Sequence, residues 1–221
     1  MTIGLDLTSC VDQQDQIQHS SIFDRYYSRR DTLDLLGSVA GCRILDAGCG
    51  IGKYAVDLSL AGADVVGIDH DEHALELARA LAGTAVDFRK ADLNKSLAFL
   101  GRCSFDAVLC SLALHYVEDW STPLAEFKNL LKPGKQLVLS VHHPFTDYFD
   151  ASSKNYFEVE PWDSGNQDVV FWRRPLGEIL GNILDADFAL SAIREPRPCP
   201  NRADFNATDL PRLLVIRAIR K

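Results

Sequence analysis

Two periodicities alternate along this chain. CRILDAG, DVVGIDH, VDFRKADL, FDAVLCSLAL and QLVLSVHH are short apolar runs, which predicts five strands. Between them KYAVDLSLAGA, DEHALELARALAG and WSTPLAEFKNLLKPG place apolar residues at helical spacing. The second of these helices opens on two acids, favourable to its dipole, and the third carries a proline in its first turn and a Pro-Gly stop. Strands that are mostly apolar on both faces and separated by helices imply a parallel sheet covered on each side.

The flanks read differently. Residues 1–18 are polar and aperiodic, a leader expected to order only over a filled site. From Ser20, SSIFDRYYSRRDTLDLLGSVAG predicts one or two helices stopped at Gly37 and Gly41, so residues 1–40 are read as a lid and 41–221 as one α/β domain. After His143 a stretch at about 144–172 is aromatic, polar and irregular, an excursion over the sheet's functional edge. RRPLGEILGNILDADF then reads as a helix, and ALSAIREP and RLLVIRAIR as two late strands most economically joined as a long hairpin.

Composition narrows the possibilities. The 221 residues can bury one substantial core, and a net charge of −8 without any Lys/Arg-rich run disfavours a nucleic-acid partner. Six cysteines without a C-x-x-C pair are read as reduced and structural. The start of the chain lacks a signal-peptide pattern and no window approaches a membrane span, so a cytoplasmic monomer or homodimer with no membrane partner is expected.

The strongest chemical signal is ILDAGCGIG, Ile44 to Gly52, set between a strand and a helix. In an open parallel sheet this first turn is the usual ligand seat, and Gly48, Gly50 and Gly52 let a ligand approach the backbone. Asp69 ends the second strand, nineteen positions after Gly50, where a carboxylate can accept both ribose hydroxyls; Asp92 ends the third, within reach of an adenine amino group. A dinucleotide G-x-G-x-x-G would need glycine where Lys53 stands, whereas Asp46 precedes a tighter G-x-G-x-G.

D-x-G-x-G-x-G with Asp69 and Asp92 resembles the class I S-adenosylmethionine-dependent methyltransferases, closest to small bacterial enzymes of the generic type. The likeness is strong over roughly residues 40–145, through ADL, SFDAVLCSLALHYVEDW, LKPG and QLVLSVHHPF, and looser outside them. It implies a Rossmann-like, doubly wound sheet of seven strands, mostly parallel with an antiparallel last strand. It also implies methyl transfer from S-adenosylmethionine to a small molecule, leaving S-adenosylhomocysteine. On the same basis Gly48 and Gly50 would line the methionine portion, with Asp46 organising the turn or reaching the ammonium through water. Asp69 would hold ribose, Ala91, Asp92 and Leu93 would frame adenine, and Ser111 would face the ammonium or sulfonium. Cys49 and His70 complete that set. Tyr26 and Arg30 would approach the methionine carboxylate, or else form ordinary helix surface.

Displacement at a sulfonium needs an aligned acceptor more than it needs a metal, and no metal site is expected. His142 and His143 end the fifth strand, one of them facing the pocket, and either is a candidate base; loop anchoring is the alternative. Tyr27, His115, Tyr148 and Trp162 are candidates for the acceptor side, with a satellite core beneath the excursion as the alternative for its aromatics. The rival readings are a nicotinamide enzyme, a non-catalytic binder of the cofactor, and an enzyme that cyclises the cofactor's own side chain.

Overall fold

The computed structural model describes residues 28–145, 148, 155–163, 170–197 and 210–221; the polar leader, with Tyr26 and Tyr27, lies outside them. Helix α1 (Arg29–Leu36) precedes β1 (Arg43–Ala47), α2 (Lys53–Leu60), β2 (Asp64–Asp69), α3 (Glu72–Ala82), β3 (Asp87–Lys90), β4 (Phe105–Ser111), α4 (Ser121–Leu130) and β5 (Leu131–His142). There follow β6 (Glu160–Asp163), β7 (Val170–Arg173), α5 (Leu176–Asp185), β8 (Phe188–Arg194) and β9 (Leu213–Arg220).

The sheet order is β3-β2-β1-β4-β5-β9-β8. The chain winds outward from β1 through β2 to β3, then returns to set β4 on the other side of β1. That reversal opens a crevice at the carboxyl ends of β1 and β4, where open α/β sheets bind ligands. Strand β9 runs antiparallel to both β5 and β8, giving the seven-stranded, doubly wound fold with one reversed strand.

Alternation along the strands splits the core in two. Ile44, Leu109, Val138 and Val215 face a layer that holds Leu35, Tyr54, Leu58 and Leu75 from α1, α2 and α3. Leu45, Val108, Leu139 and Ile216 face the other layer, with Leu124 and Phe127 of α4 and Ile179 and Ile183 of α5. Helix α3 starts where the side chain of Asp71 accepts the His73 amide, a local cap that fixes the end of β2 against the next element.

Two regions differ from the sequence reading. Strand β5 begins at Leu131, directly after α4, and takes in Lys132–Lys135; its pairing with β4 slips between Phe105 and Ala107, and Gly134 at φ 71° absorbs the irregularity. The excursion is not wholly irregular, because β6 and β7 pair antiparallel as a two-stranded sheet. Among the described residues no helix is long and apolar enough to cross a membrane.

Candidate active site

Strand β1 delivers Asp46 and Ala47 to a tight turn that ends at α2. The amides of Gly48 and Cys49 donate to the Ile68 carbonyl at 2.8 and 2.9 Å, tying the turn to the end of β2. Gly48 has φ 75°, and a Cβ there would stand 2.3 Å from the Cβ of Ala113 in the loop after β4. Only glycine lets the two loops approach this closely. Gly50, at φ 51°, has open space where a Cβ would project.

Asp69 joins the two sides of the crevice. Its Oδ2 accepts the Gly50 amide at 2.8 Å and its Oδ1 the Asp71 amide at 3.0 Å. Each carboxylate oxygen retains a further lone pair for a ligand hydroxyl.

Below the turn lies a cavity of about 630 Å³, a size suited to a cofactor. Asp46, Gly48, Cys49, Gly50, Asp69, His70, Ala91, Asp92, Leu93 and Ser111 all border it, so residues spread over the ends of four strands meet in one place. Among the described residues its charged lining is the carboxylates of Asp46, Asp69, Asp71 and Asp92 against one lysine, Lys53. That sign suits hydroxyls and a cation and repels a pyrophosphate, so the donor set fits S-adenosylmethionine and not a dinucleotide.

Several of these residues also have local duties. Asp92 accepts the Asn94 amide at 2.9 Å and sits 3.2 Å from Lys95 Nζ; the backbone bond, ahead of the lysine, holds its carboxyl below the usual carboxylate range. The hydroxyls of Ser111 and Ser140 lie 2.9 Å apart and link β4 to β5 at the cavity's edge. Burial, followed by the charges of Asp46 and Asp69, pushes the Cys49 thiol up, so it stays protonated. His70 extends into solvent, with Nδ1 3.3 Å from Asp69 Oδ1.

Arg30 is a correction. Its side chain is 92% exposed, lies 4.0 Å from Asp34 on the outer face of α1, and does not border the cavity. One residue turns a helix by about 100°, and Arg29 takes the inward face instead. Its guanidinium lies 4.2 Å from the centre of the Tyr54 ring, donates to the Lys53 carbonyl at 3.0 Å and pairs with Asp57.

His142 and His143 point to opposite faces, and His143 is a second correction. Its Nδ1 accepts the Phe145 amide at 3.1 Å, so Nε2 carries the proton and donates to Glu195 Oε1 at 2.9 Å. Its backbone amide donates to Arg212 at the start of the last strand. Both of its ring nitrogens are engaged in anchoring a loop.

His142 turns the other way, onto a cluster of rings. It stacks on His115 with centroids 4.4 Å apart and planes at 22°, and Phe171 of β7 lies 5.6 Å from it. Burial pushes the His142 pKa down to about 4. His115 is buried, and burial, then His142 and Arg174, drive its imidazole well below the ordinary histidine range. Neither of its ring nitrogens has a hydrogen-bond partner among the described residues. Tyr116, 4.3 Å from His115 and 4.9 Å from Phe171, borders the cavity with Val117 and Val170, whereas the imidazoles stand one ring behind that wall.

Tyr148, expected beside the acceptor, packs edge-on against Tyr156 at 6.0 Å, and Tyr156 in turn meets Phe157 and accepts the Leu176 amide. It belongs to a satellite cluster and not to the cavity wall. Trp162 pairs through its backbone with Phe171. Phe171 and Val170 went unread because DVVFW lies inside the stretch read as irregular; its Val-Phe-Trp run was the available signal. Among the described residues no group of three or more His, Cys, Asp or Glu could hold a metal ion.

Residues 45–139 match a family model described as a methyltransferase domain. The chain is 37% identical over 179 residues to a ubiquinone biosynthesis O-methyltransferase of Alkalilimnicola ehrlichii, covering 79% of this chain and 71% of that one. It is 33% identical over 151 residues to the protein of the same name from Aromatoleum aromaticum, covering 66% and 64%. Across three such relatives the chain spans 64, 49 and 48% of their length. A crystal structure of an S-adenosylmethionine-dependent methyltransferase from Mesorhizobium loti superposes with a TM-score of 0.75 at 30% identity, covering 86% of this chain and 96% of that one. Since the likeness extends through the acid-lined crossover to nearly the whole of a solved member, the chain belongs to the class I S-adenosylmethionine-dependent methyltransferases.

Proposed function

We propose that the protein moves the methyl group of S-adenosylmethionine to a hydroxyl of a small, flat acceptor. The observation that carries this reading is the cavity itself, whose lining combines four carboxylates with Tyr116, Val117 and Val170. The O-methyltransferase names of the curated relatives favour oxygen as the receiving atom.

When bound, S-adenosylmethionine supplies an electrophilic methyl on a positively charged sulfur. Asp69 accepts ribose hydroxyls while keeping the Gly50 amide, and Ala91, Asp92 and Leu93 frame the adenine. Asp46 and the backbone of Gly48 hold the amino-acid portion, with Ser111 at the methyl side. Tyr116, backed by Phe171 and the two imidazoles, excludes water from the acceptor. An imidazole held near 4 is a weak proton acceptor at neutral pH. His142 therefore acts from behind that wall, backing Tyr116 and Phe171; alignment supplies most of the rate, and the hydroxyl proton passes to the solvent as S-adenosylhomocysteine forms.

The deciding experiment supplies methyl-labelled S-adenosylmethionine with catechol and with hydroquinone. Labelled methyl ether and S-adenosylhomocysteine in equal amounts is the expected result. Methylthioadenosine formed without acceptor would mean cyclisation instead, and cofactor binding with no product from either phenol would end the O-methylation reading.

A further inference from the structure

RRPLGEIL, a motif with no chemistry assigned above, contributes two buried arginines that grip in opposite directions. Arg173, on β7, donates to the Asn155 carbonyl at 2.8 Å and to Glu160 Oε1 at 2.6 Å, both within the excursion. Arg174 reaches away from the excursion into the loop after β4. Its Nη2 donates to the Val117 carbonyl at 2.8 Å and also to that of Glu118, while Nη1 lies 3.4 Å from the carbonyl of Trp172. The guanidinium stands 4.7 Å over the Trp120 ring, and Trp120 is pinned by its own Nε1 donating to the Leu114 carbonyl at 2.8 Å.

That loop is the one that holds His115, Tyr116 and Val117, and the hairpin fastened to it holds Val170 and Phe171. We propose that Arg174 is a positioning residue for the acceptor: by holding the Val117 and Glu118 carbonyls it locks Phe171 over the His115–His142 stack and so fixes the acceptor wall. The geometry supports this because, among the described residues, the bonds of Arg174 to the Val117 and Glu118 carbonyls and its stacking on Trp120 join the β6–β7 hairpin to the loop after β4, its bond to Trp172 stays within the hairpin, and none reaches the glycine turn or Asp69. Planar guanidinium matters here. It donates to two adjacent carbonyls while stacking on an indole, which a lysine ammonium does without the fixed fork. This inference rests on the methyl-transfer reading for its kinetic arm only.

The test compares wild type, R174Q, R174K, F171A and R174Q/F171A, with S-adenosylhomocysteine and catechol as probes. R174Q is expected to bind S-adenosylhomocysteine within about threefold of wild type while KM for catechol rises about tenfold or more and kcat changes less. R174K should recover part of the loss, and if R174Q does not fold, R174K is read by the same criteria. The double variant should be no worse toward catechol than F171A, because Arg174 acts through Phe171. Additive losses, or equal losses for catechol and S-adenosylhomocysteine, would overturn the proposal. If wild type methylates no catechol, the acceptor reading fails on its own, and the Arg174 claim is decided by amide exchange in the S-adenosylhomocysteine complex. There R174Q must expose the Phe171 and Trp172 amides about tenfold while Gly48 and Cys49 stay protected; unchanged protection at Phe171 refutes it.

Discussion

The carboxylate of Asp69 accepts the amide of Gly50 at 2.8 Å, so one side chain closes the glycine turn onto β2 and also borders the space beneath it. Charge-assisted hydrogen bonds contribute about 1.5–3 kcal/mol. Asp69→Ala is therefore expected to weaken S-adenosylhomocysteine binding by about 10- to 100-fold in calorimetry. The fold should survive, since the amides left behind face the cavity and find water; unchanged affinity would remove the ribose assignment.

Gly48 and Gly50 should respond differently to alanine. Gly48→Ala adds a Cβ 2.3 Å from Ala113 at a positive φ, which costs stability by about 2–5 kcal/mol and opens the two loops. Gly50→Ala meets open space and should cost only about 1 kcal/mol, yet its methyl projects beside the cavity. Thermal melts and binding heats together check the pair: a large melt shift for Gly48→Ala, and for Gly50→Ala a lost affinity with a nearly normal melt.

His142 makes the protein sensitive to mild acid. Its folded pKa of about 4 lies below the ordinary 6.5, so between these values the unfolded chain binds a proton that the folded chain refuses. The stabilisation is complete above pH 6.5 and falls as the pH drops toward 4. Over that window the loss from this residue is about 3 kcal/mol. Urea unfolding at pH 7 and pH 4.5 should find a smaller acid loss in His142→Gln than in wild type; an equal loss would mean that the ring is solvated. Turnover in His142→Gln should fall about tenfold because the rings that position the acceptor lose their backing.

His143 is expected to behave as an anchor. His143→Ala removes the bonds to Glu195 and the Phe145 amide and should cost about 1–3 kcal/mol in chemical denaturation. Turnover per folded molecule should remain near wild type. A collapse of kcat with normal stability would restore the base role.

Much of the fold was legible because its signals are local. Apolar runs, helical spacing and the stops at glycines required no partner to read, and ILDAGCGIG lay between a strand and a helix. The meeting of Asp46, Asp69, Asp92 and Ser111 around one cavity followed, since they occupy fixed positions at strand ends and parallel strands bring such ends together. Arg30 failed for an equally local reason. Spacing names a helix face only up to its rotation, and one position exchanged a solvent-facing arginine for Arg29 on Tyr54.

The cluster of rings beside the cavity depended on packing between distant segments. Nothing in HH says which imidazole meets Glu195 and which stacks on His115, because alternation gives opposite faces without naming either. Nor does RRP disclose that one arginine holds Asn155 and the next the carbonyls of Val117 and Glu118. The sequence by itself determined the sheet, the glycine turn and the acids around it, since these follow from periodicity and backbone geometry within a few residues. Only the tertiary structure decided the wall of Tyr116, Phe171 and the paired imidazoles, because those contacts join segments whose separation along the chain carries no periodic signal.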